Sequence, residues 1–136
     1  MPRFHARAWF PAVLLLALHA PGARAGEGAP TGDASAEIQA LIARMGESAC
    51  RFQRNGRWHD AAEAQAHLQR KYDWARRRGM SGDAEAFIER AASRSSLTGR
   101  PYRVACAGQP ERDAGEWFRA QLRDLRADHQ SATQPR

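Results

Sequence analysis

The dipeptide Asn55-Gly56 is the local feature that most constrains the fold of this chain. Both central residues of a type I′ turn need a positive φ, and Asn followed by Gly adopts that conformation at the lowest steric cost. The segments on either side, Cys50–Arg54 and Arg57–His59, read as short strands. The stretch therefore predicts a β-hairpin.

Apolar residues recur at helical spacing in four further segments. The predicted inward stripes are Ile38, Leu41, Ile42 and Met45; Ala64, Leu68, Tyr72 and Ala75; Ala84, Phe87, Ile88, Ala91 and Ala92; and Trp117, Phe118, Leu122 and Leu125. The matching N-cap candidates are Asp33 or Ser35, Asp60 with Glu63 as a capping box, Ser81 or Asp83, and Asp113 with Glu116. The sequence thus predicts an α+β fold, with about four helices packed against a small two- to three-stranded antiparallel sheet.

Residues 1–25 read as a Sec-type signal peptide. A basic start precedes a short apolar run, and Ala23-Arg24-Ala25 has the small-x-small pattern of a cleavage site, so cleavage is expected near Ala25. The apolar run is shorter than the roughly 20 residues that a transmembrane helix needs. We therefore expect a periplasmic protein without a transmembrane anchor, with a flexible leader at 26–33, one domain at 34–128 and a disordered tail at 129–136.

Cys50 and Cys106 are the two cysteines of the chain. In an exported protein, two cysteines most simply form one disulfide, with two buried free thiols as the alternative. Residues 102–106 read as a strand, and its pairing with the Cys50–Arg54 strand would bring the two sulfur atoms together. The sequence therefore predicts one disulfide, between Cys50 and Cys106.

The charge pattern argues against a nucleic-acid partner. The chain carries 21 basic and 15 acidic residues, and without the three arginines of residues 1–25 the basic count falls to 18. That is a mild excess, and the longest basic run is only Arg76-Arg77-Arg78. We expect either an anionic ligand of the cell envelope or another periplasmic protein as the partner.

Four segments form a combined pattern that is more specific than any one of them. They read Cys50-x-Phe52-x-Arg54-Asn55-Gly56-x-x-His59, Glu63-Ala64-x-x-His67-Leu68-x-x-Lys71, Phe87-Ile88 and Ser95-Ser96-x-Thr98-Gly99-Arg100-Pro101-Tyr102. Together they resemble the YfeK-like family of small proteobacterial envelope proteins, over about residues 35–126. That family is a domain of unknown function, so the resemblance implies an exported protein without an established activity. Arg100 stands where the family usually has Lys, which argues against a role that needs a lysine amine.

His59, Glu63 and His67 suggest a metal site at first sight, because Glu63 is four residues from either histidine. The two histidines, however, lie about 12 Å apart along a straight helix and cannot both bind one ion at roughly 2 Å. We expect neither a metal nor a cofactor. The plain alternative is structural, with Glu63 bonded to the amides of the helix start and His67 to a backbone carbonyl or the serine loop.

Two functional hypotheses remain. In the first, Ser95 or Ser96 is a nucleophile activated by His67, which Glu63 orients as in a Ser-His-acid site, although no G-x-S-x-G motif is present. In the second, the protein is a non-catalytic binding or interaction protein, and the turn at residues 96–99 offers backbone N–H groups to an anion. The second is favoured. Its candidate binding residues are Arg54, Asn55, Gly56, His59, Lys71, Thr98, Gly99, Arg100 and Tyr102.

Overall fold

The computed structural model describes residues 32–134, and the predicted signal peptide lies outside this part of the chain. Four α-helices are found within it: α1 (Gly32–Glu47), α2 (Ala61–Arg77), α3 (Ala84–Phe87) and α4 (Ala114–Thr133). A π-helical segment, Ile88–Ala92, continues α3. The strands are β1 (Cys50–Arg54), β2 (Arg57–His59), β3 (Arg103–Cys106) and β4 (Arg112–Asp113). The predicted α+β class is confirmed.

The strands form one antiparallel sheet in the order β2-β1-β3-β4. The predicted hairpin of β1 and β2 is present, and its turn residues Asn55 and Gly56 have φ values of 50° and 81°. The sheet has one strand more than the two or three predicted, because β4 pairs with β3 over only two residues. A two-residue strand leaves no periodic signal in the sequence.

The predicted disulfide is confirmed. Cys50 and Cys106 lie directly opposite each other in the register of β1 and β3, and their sulfur atoms are bonded. Because 56 residues separate them in sequence, the bond closes most of the described chain into one loop. The disulfide therefore stabilises the pairing of β1 with β3, the two central strands of the sheet.

The core lies between the helices and one face of the sheet. Phe52 of β1 and Val104 of β3 point inward and are buried. Phe52 meets Trp117 of α4 edge to face, with ring centroids 5.4 Å apart, and Trp117 meets Phe118 at 5.0 Å in the same way. The helices supply the remainder of the core: Ile38, Leu41, Ile42, Met45, Ala64, Leu68, Tyr72, Ala84, Phe87, Ile88, Ala92, Leu122 and Leu125. Most of the predicted stripes are thus buried, while Ala75 and Ala91 are only partly covered.

Three of the predicted N-cap positions are confirmed, and the start of α1 is wrong, because that helix begins at Gly32, before both Asp33 and Ser35. Asp60 and Asp83 each accept a hydrogen bond at 2.8 Å from the backbone N–H three residues on. Asp113 precedes α4 but makes no such bond, because its carboxylate accepts from Arg103 across the β3–β4 pair. Ser35 lies inside α1, where its hydroxyl is 3.0 Å from the Tyr72 hydroxyl. The sequence showed the capping residue types but not these tertiary partners.

The end of α4 also differs from the prediction. The helix continues to Thr133, so the expectation of a disordered tail from residue 129 is wrong for residues 129–133. Arg44 of α1 pairs with Asp128 at 2.7 Å and thereby holds the last turns against the domain. The hydroxyl groups of Ser131 and Thr133 donate to backbone carbonyls four residues earlier, which keeps them within the helix.

No helix within residues 32–134 combines the length and the apolar character needed to cross a membrane.

Candidate functional site

A cavity of about 370 Å³ opens between the end of β1, one face of α2 and the π-helical segment. Its buried wall is apolar and comes from α1, β1, α2, the π-helical segment and α4: Met45, Phe52, Ala64, Leu68, Ala92, Ala114 and Phe118. Its more exposed rim is polar and charged: Gln53, Arg54, His59, Glu63, His67, Arg70 and Tyr102. The cavity is therefore an apolar space whose entrance carries a few charged and hydrogen-bonding groups.

Arg54 and His67 form the closest contact at this rim. Nη1 of Arg54 lies 2.6 Å from Nδ1 and 2.7 Å from Nε2 of His67. A neutral imidazole has one accepting nitrogen, so Arg54 donates to whichever ring nitrogen lacks a proton. Among the described residues, no carboxylate forms an ion pair with Arg54. The positive charge of Arg54 therefore lies at the cavity mouth, and its contact there is with an imidazole, not with a carboxylate.

The surroundings of His67 keep its ring neutral. Burial lowers the pKa of His67 to about 4, and the positive charges of Arg54, Lys71 and Arg70 act in the same direction. A protonated ring would lose hydration and would face three cations. His67 is therefore a neutral donor and acceptor at physiological pH and a weak base there.

This shift predicts that the protein loses stability in mild acid. The folded state holds His67 unprotonated down to about pH 4, whereas the unfolded chain protonates it near 6.5. The unfolded state binds more protons between these values, so His67 lowers the free energy of unfolding as the pH falls from 6.5 to 4. Below pH 4 it adds no further loss.

Urea unfolding at a series of pH values between 7 and 4 measures this effect. His67→Gln should make the pH dependence in this window less steep than in the wild type. His129→Gln is the matched control, because His129 is exposed on α4, and it should leave the dependence unchanged. Equal slopes for His67→Gln and the wild type would show that His67 does not have a depressed pKa.

Lys71 and Tyr102 lie near the contact between Arg54 and His67. Nζ of Lys71 donates to the carbonyl of Ala91 at 2.6 Å and lies 5.4 Å from the centre of the Tyr102 ring. Burial, followed by the charge of Arg54, lowers the pKa of Lys71. Burial also raises the pKa of Tyr102, although Arg54 and a hydrogen bond with Ser95 oppose that shift. The phenol therefore stays protonated at the cavity rim.

The predicted Ser-His-acid arrangement does not form. Ser95 is only 4% exposed, and its hydroxyl accepts hydrogen bonds from the N–H groups of Leu97 and Thr98 at 3.3 Å. Ser96 is exposed and does not line the cavity. The carboxylate of Glu63 lies 3.5 Å from Nδ1 of His59, not beside His67. Ser95 thus stabilises a turn, and among the described residues no hydrogen-bonded chain runs from a serine through His67 to Glu63.

In the turn predicted to hold an anion, the N–H groups of Leu97, Thr98 and Gly99 already have acceptors within the chain. Gly99 N donates to the Ser95 carbonyl at 2.9 Å, and Arg100 N donates to Thr98 Oγ1 at 3.3 Å. Thr98 Oγ1 in turn donates to Asn55 Oδ1 at 2.7 Å, which ties this turn to the hairpin. Both Gly56 and Gly99 have positive φ and belong to these turns.

The structure therefore divides the sequence-predicted site into two parts. Arg54, His59, Glu63, His67 and Tyr102 meet at the cavity rim. The remaining candidates lie elsewhere: Asn55, Gly56, Thr98, Gly99 and Arg100 in the two joined turns, and Lys71 in the adjoining groove. His59 and Glu63 form a pair, and within residues 32–134 no third His, Cys, Asp or Glu joins a cluster suited to a metal ion.

Sequence reasoning missed the apolar wall of the cavity. Five alanines line the cavity, and they come from three separate elements: Ala64, Ala66, Ala91, Ala92 and Ala114. Small side chains facing one another leave space that larger ones would fill. Their convergence follows from the fold and is not visible as a motif.

Comparisons with known proteins identify a family but name no activity. A family model described as "Family of unknown function (DUF5329)" matches residues 32–126. The chain is also similar to "Uncharacterized protein YfeK" of Salmonella typhimurium (strain LT2), with 47% identity over 51 residues. That match covers 38% of this chain and 41% of the relative, so it spans about two fifths of the relative's length. No solved structure gave a significant match.

Proposed function

The chain belongs to the DUF5329 family, a family of unknown function, and we propose that it is a non-catalytic binding protein of the cell envelope. Its ligand is a small amphiphile with an apolar body and a carboxylate head. The apolar body occupies the cavity, and the carboxylate pairs with Arg54 at the rim. The observation that carries this proposal is the apolar cavity with Arg54 at its mouth, in contact with the neutral His67.

The size and lining of the cavity support a small-molecule ligand. Small-molecule sites in proteins commonly have volumes of about 300–1,000 Å³ and are mainly apolar, with a few polar groups that fix orientation. The cavity of about 370 Å³ lies at the lower end of this range. Phe52, Leu68 and Phe118 offer contacts to an alkyl or aryl group, and an uncharged end is best placed against them.

The charges at the rim favour an anionic head. Arg54, Arg70 and Lys71 all lie close enough to depress the pKa of His67. The single carboxylate at the rim, that of Glu63, pairs with His59 instead. Arginine pairs with carboxylates through two parallel hydrogen bonds, a geometry that also gives specificity. A neutral His67 can add a further donor beside it.

The proposed location follows from the N-terminal sequence. Residues 1–25 are expected to direct export and to be removed, which would place the cavity in the periplasm. Expression of the full chain in a Gram-negative host, followed by periplasmic extraction and intact mass measurement, checks this. The expected product begins at Gly26. A full-length product confined to the cytoplasm would contradict the location.

The binding proposal is tested by titrating the protein with dodecanoate below its critical micelle concentration, using calorimetry. Arg54→Gln should weaken binding by about 10- to 100-fold, because a hydrogen bond to a charged group contributes about 1.5–3 kcal/mol. Arg51→Gln is the matched control, since Arg51 lies on the same strand but is exposed and outside the cavity. It should bind as the wild type does.

The head group is tested with ligands of the same chain length. Dodecanol and dodecyltrimethylammonium should bind more weakly than dodecanoate to the wild type, and Arg54→Gln should reduce that preference. Equal affinity for all three would contradict the proposed role of Arg54. Absence of any dodecanoate binding by the folded wild type would reject the ligand class.

A further inference from the structure

A second open space adjoins the cavity, shares His67, Arg70 and Ala91 with it, and contains two exposed large apolar residues. Trp74 and Met80 are each 48% exposed. They border a groove of about 320 Å³ beside α2, which we call the Trp74 groove. Its full lining is His67, Arg70, Lys71, Trp74, Ala75, Met80, Arg90 and Ala91. The groove thus combines exposed apolar side chains with several cations.

The position of Trp74 follows from the helical period. Arg70, Trp74 and Arg77 recur at i, i+4 and i+7 of α2, on the side away from its buried residues, and Arg78 is the C-cap residue that follows. The guanidinium carbon of Arg78 lies 4.0 Å from the centre of the Trp74 ring. The C-terminal half of α2 therefore presents an aromatic ring within a row of positive charges.

These charges are not neutralised within the described domain. The ion pairs of residues 32–134 involve other cations, namely Arg44, His59, Arg94, Arg103, Arg119 and Arg126. Arg70, Arg77, Arg78 and Arg90 are thus left without a carboxylate within 4.0 Å in this part of the chain.

The acidic residues nearest to the groove in sequence have partners elsewhere. Asp73 accepts from Gln69 at 2.9 Å, and Asp83 caps α3. Glu85 pairs with Arg126, and Glu89 pairs with Arg94 and Arg119. The groove therefore retains a net positive surface that an external anionic partner can complement.

We propose that the Trp74 groove and its flanking Arg77 and Arg78 dock the domain on an anionic lipid surface. Tryptophan rings are enriched at the membrane–water interface, where one part of the ring meets apolar chains and the other meets water. Arginines beside them pair with anionic headgroups. The exposed indole of Trp74 and thioether of Met80, beside arginines without carboxylate partners, fit an anionic lipid surface. An acidic protein surface would pair with the arginines but would leave these two apolar side chains without partners.

The experiment measures sedimentation of the expected product that begins at Gly26 with phosphatidylcholine vesicles, with and without phosphatidylglycerol. The basic and apolar residues 1–25 are thus absent from the wild type and from every variant. The wild type should bind the anionic vesicles more strongly than the neutral ones, and added salt should reduce the difference. Arg77→Gln/Arg78→Gln should weaken anionic binding roughly 30-fold, if each basic group contributes about 1 kcal/mol.

Two further variants make the result specific to the groove. Arg51→Gln/Arg123→Gln removes the same charge from exposed positions on β1 and α4, and it should bind anionic vesicles more tightly than the groove variant. Trp74→Ala keeps the charge and should also lose anionic binding, because the apolar insertion is absent. Circular dichroism verifies that all three variants remain folded.

The outcomes separate this proposal from its competitor and from the ligand cavity. Equal losses of vesicle affinity in the two double variants would contradict docking through the Trp74 groove, because only net charge would then matter. Binding to soluble poly-L-glutamate without binding to vesicles would overturn the lipid surface in favour of an acidic protein partner. Arg77 and Arg78 do not line the cavity, so their replacement should leave dodecanoate binding intact even if docking fails.

Discussion

Replacing Cys50 and Cys106 together with Ser is expected to lower the free energy of unfolding by about 4 kcal/mol. The bond spans 56 residues of sequence, and the chain-entropy description gives a value of this size for a loop of such length. Domains of this size have total stabilities of only about 5–15 kcal/mol. The expected loss is therefore a large share of the total stability.

Urea unfolding of the oxidised wild type and of the double variant measures this difference. A reductant should move the wild-type transition toward that of the variant, and it should leave the variant itself unchanged. An oxidised wild type and a double variant with the same midpoint would show that the bond adds nothing beyond the pairing of β1 with β3.

Phe118→Ala is expected to lower the free energy of unfolding by about 3–5 kcal/mol, as is usual for a buried aromatic residue. Phe118 is 1% exposed and packs edge to face on Trp117. It also forms part of the cavity wall, where Ala64 and Ala92 are too small to fill the space it would leave. Because the neighbouring side chains can move only a little into this space, we expect the loss in free energy of unfolding to lie in the upper part of this range.

Thermal and urea unfolding check this result, and Leu97→Ala is the matched control. Leu97 is 94% exposed, so its truncation should change the free energy of unfolding by less than about 0.5 kcal/mol. Similar losses for Phe118→Ala and Leu97→Ala would contradict the described core.

The local features of the fold could be predicted from the sequence because short-range chemistry determines them. The Asn55-Gly56 turn needs positive φ, and Asp60 and Asp83 cap the helices that follow them. Asp113 is an exception, because its carboxylate does not cap the helix that follows it. It has the same residue type and spacing, but Arg103 from the neighbouring strand competes for its carboxylate. A tertiary partner of this kind is not visible in a local pattern.

The π-helical segment was not predictable for a related reason. Ala84–Ala92 has the apolar spacing of an ordinary α-helix, yet only its first turn is one. The Ser93 hydroxyl donates to the carbonyl of Ile88 at 2.8 Å. Ser93 also packs against the start of α4, where a Cβ on Gly115 would lie only 2.5 Å from the Ser93 hydroxyl oxygen. The departure from α geometry thus occurs where two helices approach closely.

The candidate site was predictable in its polar members but not in its arrangement. The sequence indicated Arg54, His59, Glu63, His67 and Tyr102, and the structure brings them to one rim. It did not indicate that Arg54 would meet His67 or that Glu63 would pair with His59. These pairings decide the chemistry, since they leave His67 as a weak base and Arg54 available to an anion.

Heteronuclear NMR titration of the isotopically labelled protein with dodecanoate tests most directly that the cavity is a binding site. Binding in the cavity should shift the backbone amides that line it in a concentration-dependent way, among them Phe52, Leu68, Ala91 and Phe118, with much smaller shifts in Arg54→Gln at the same concentrations. Shifts confined to Trp74 and Met80, or to the turn around Gly99, would contradict a ligand site in the cavity, as would an unchanged spectrum.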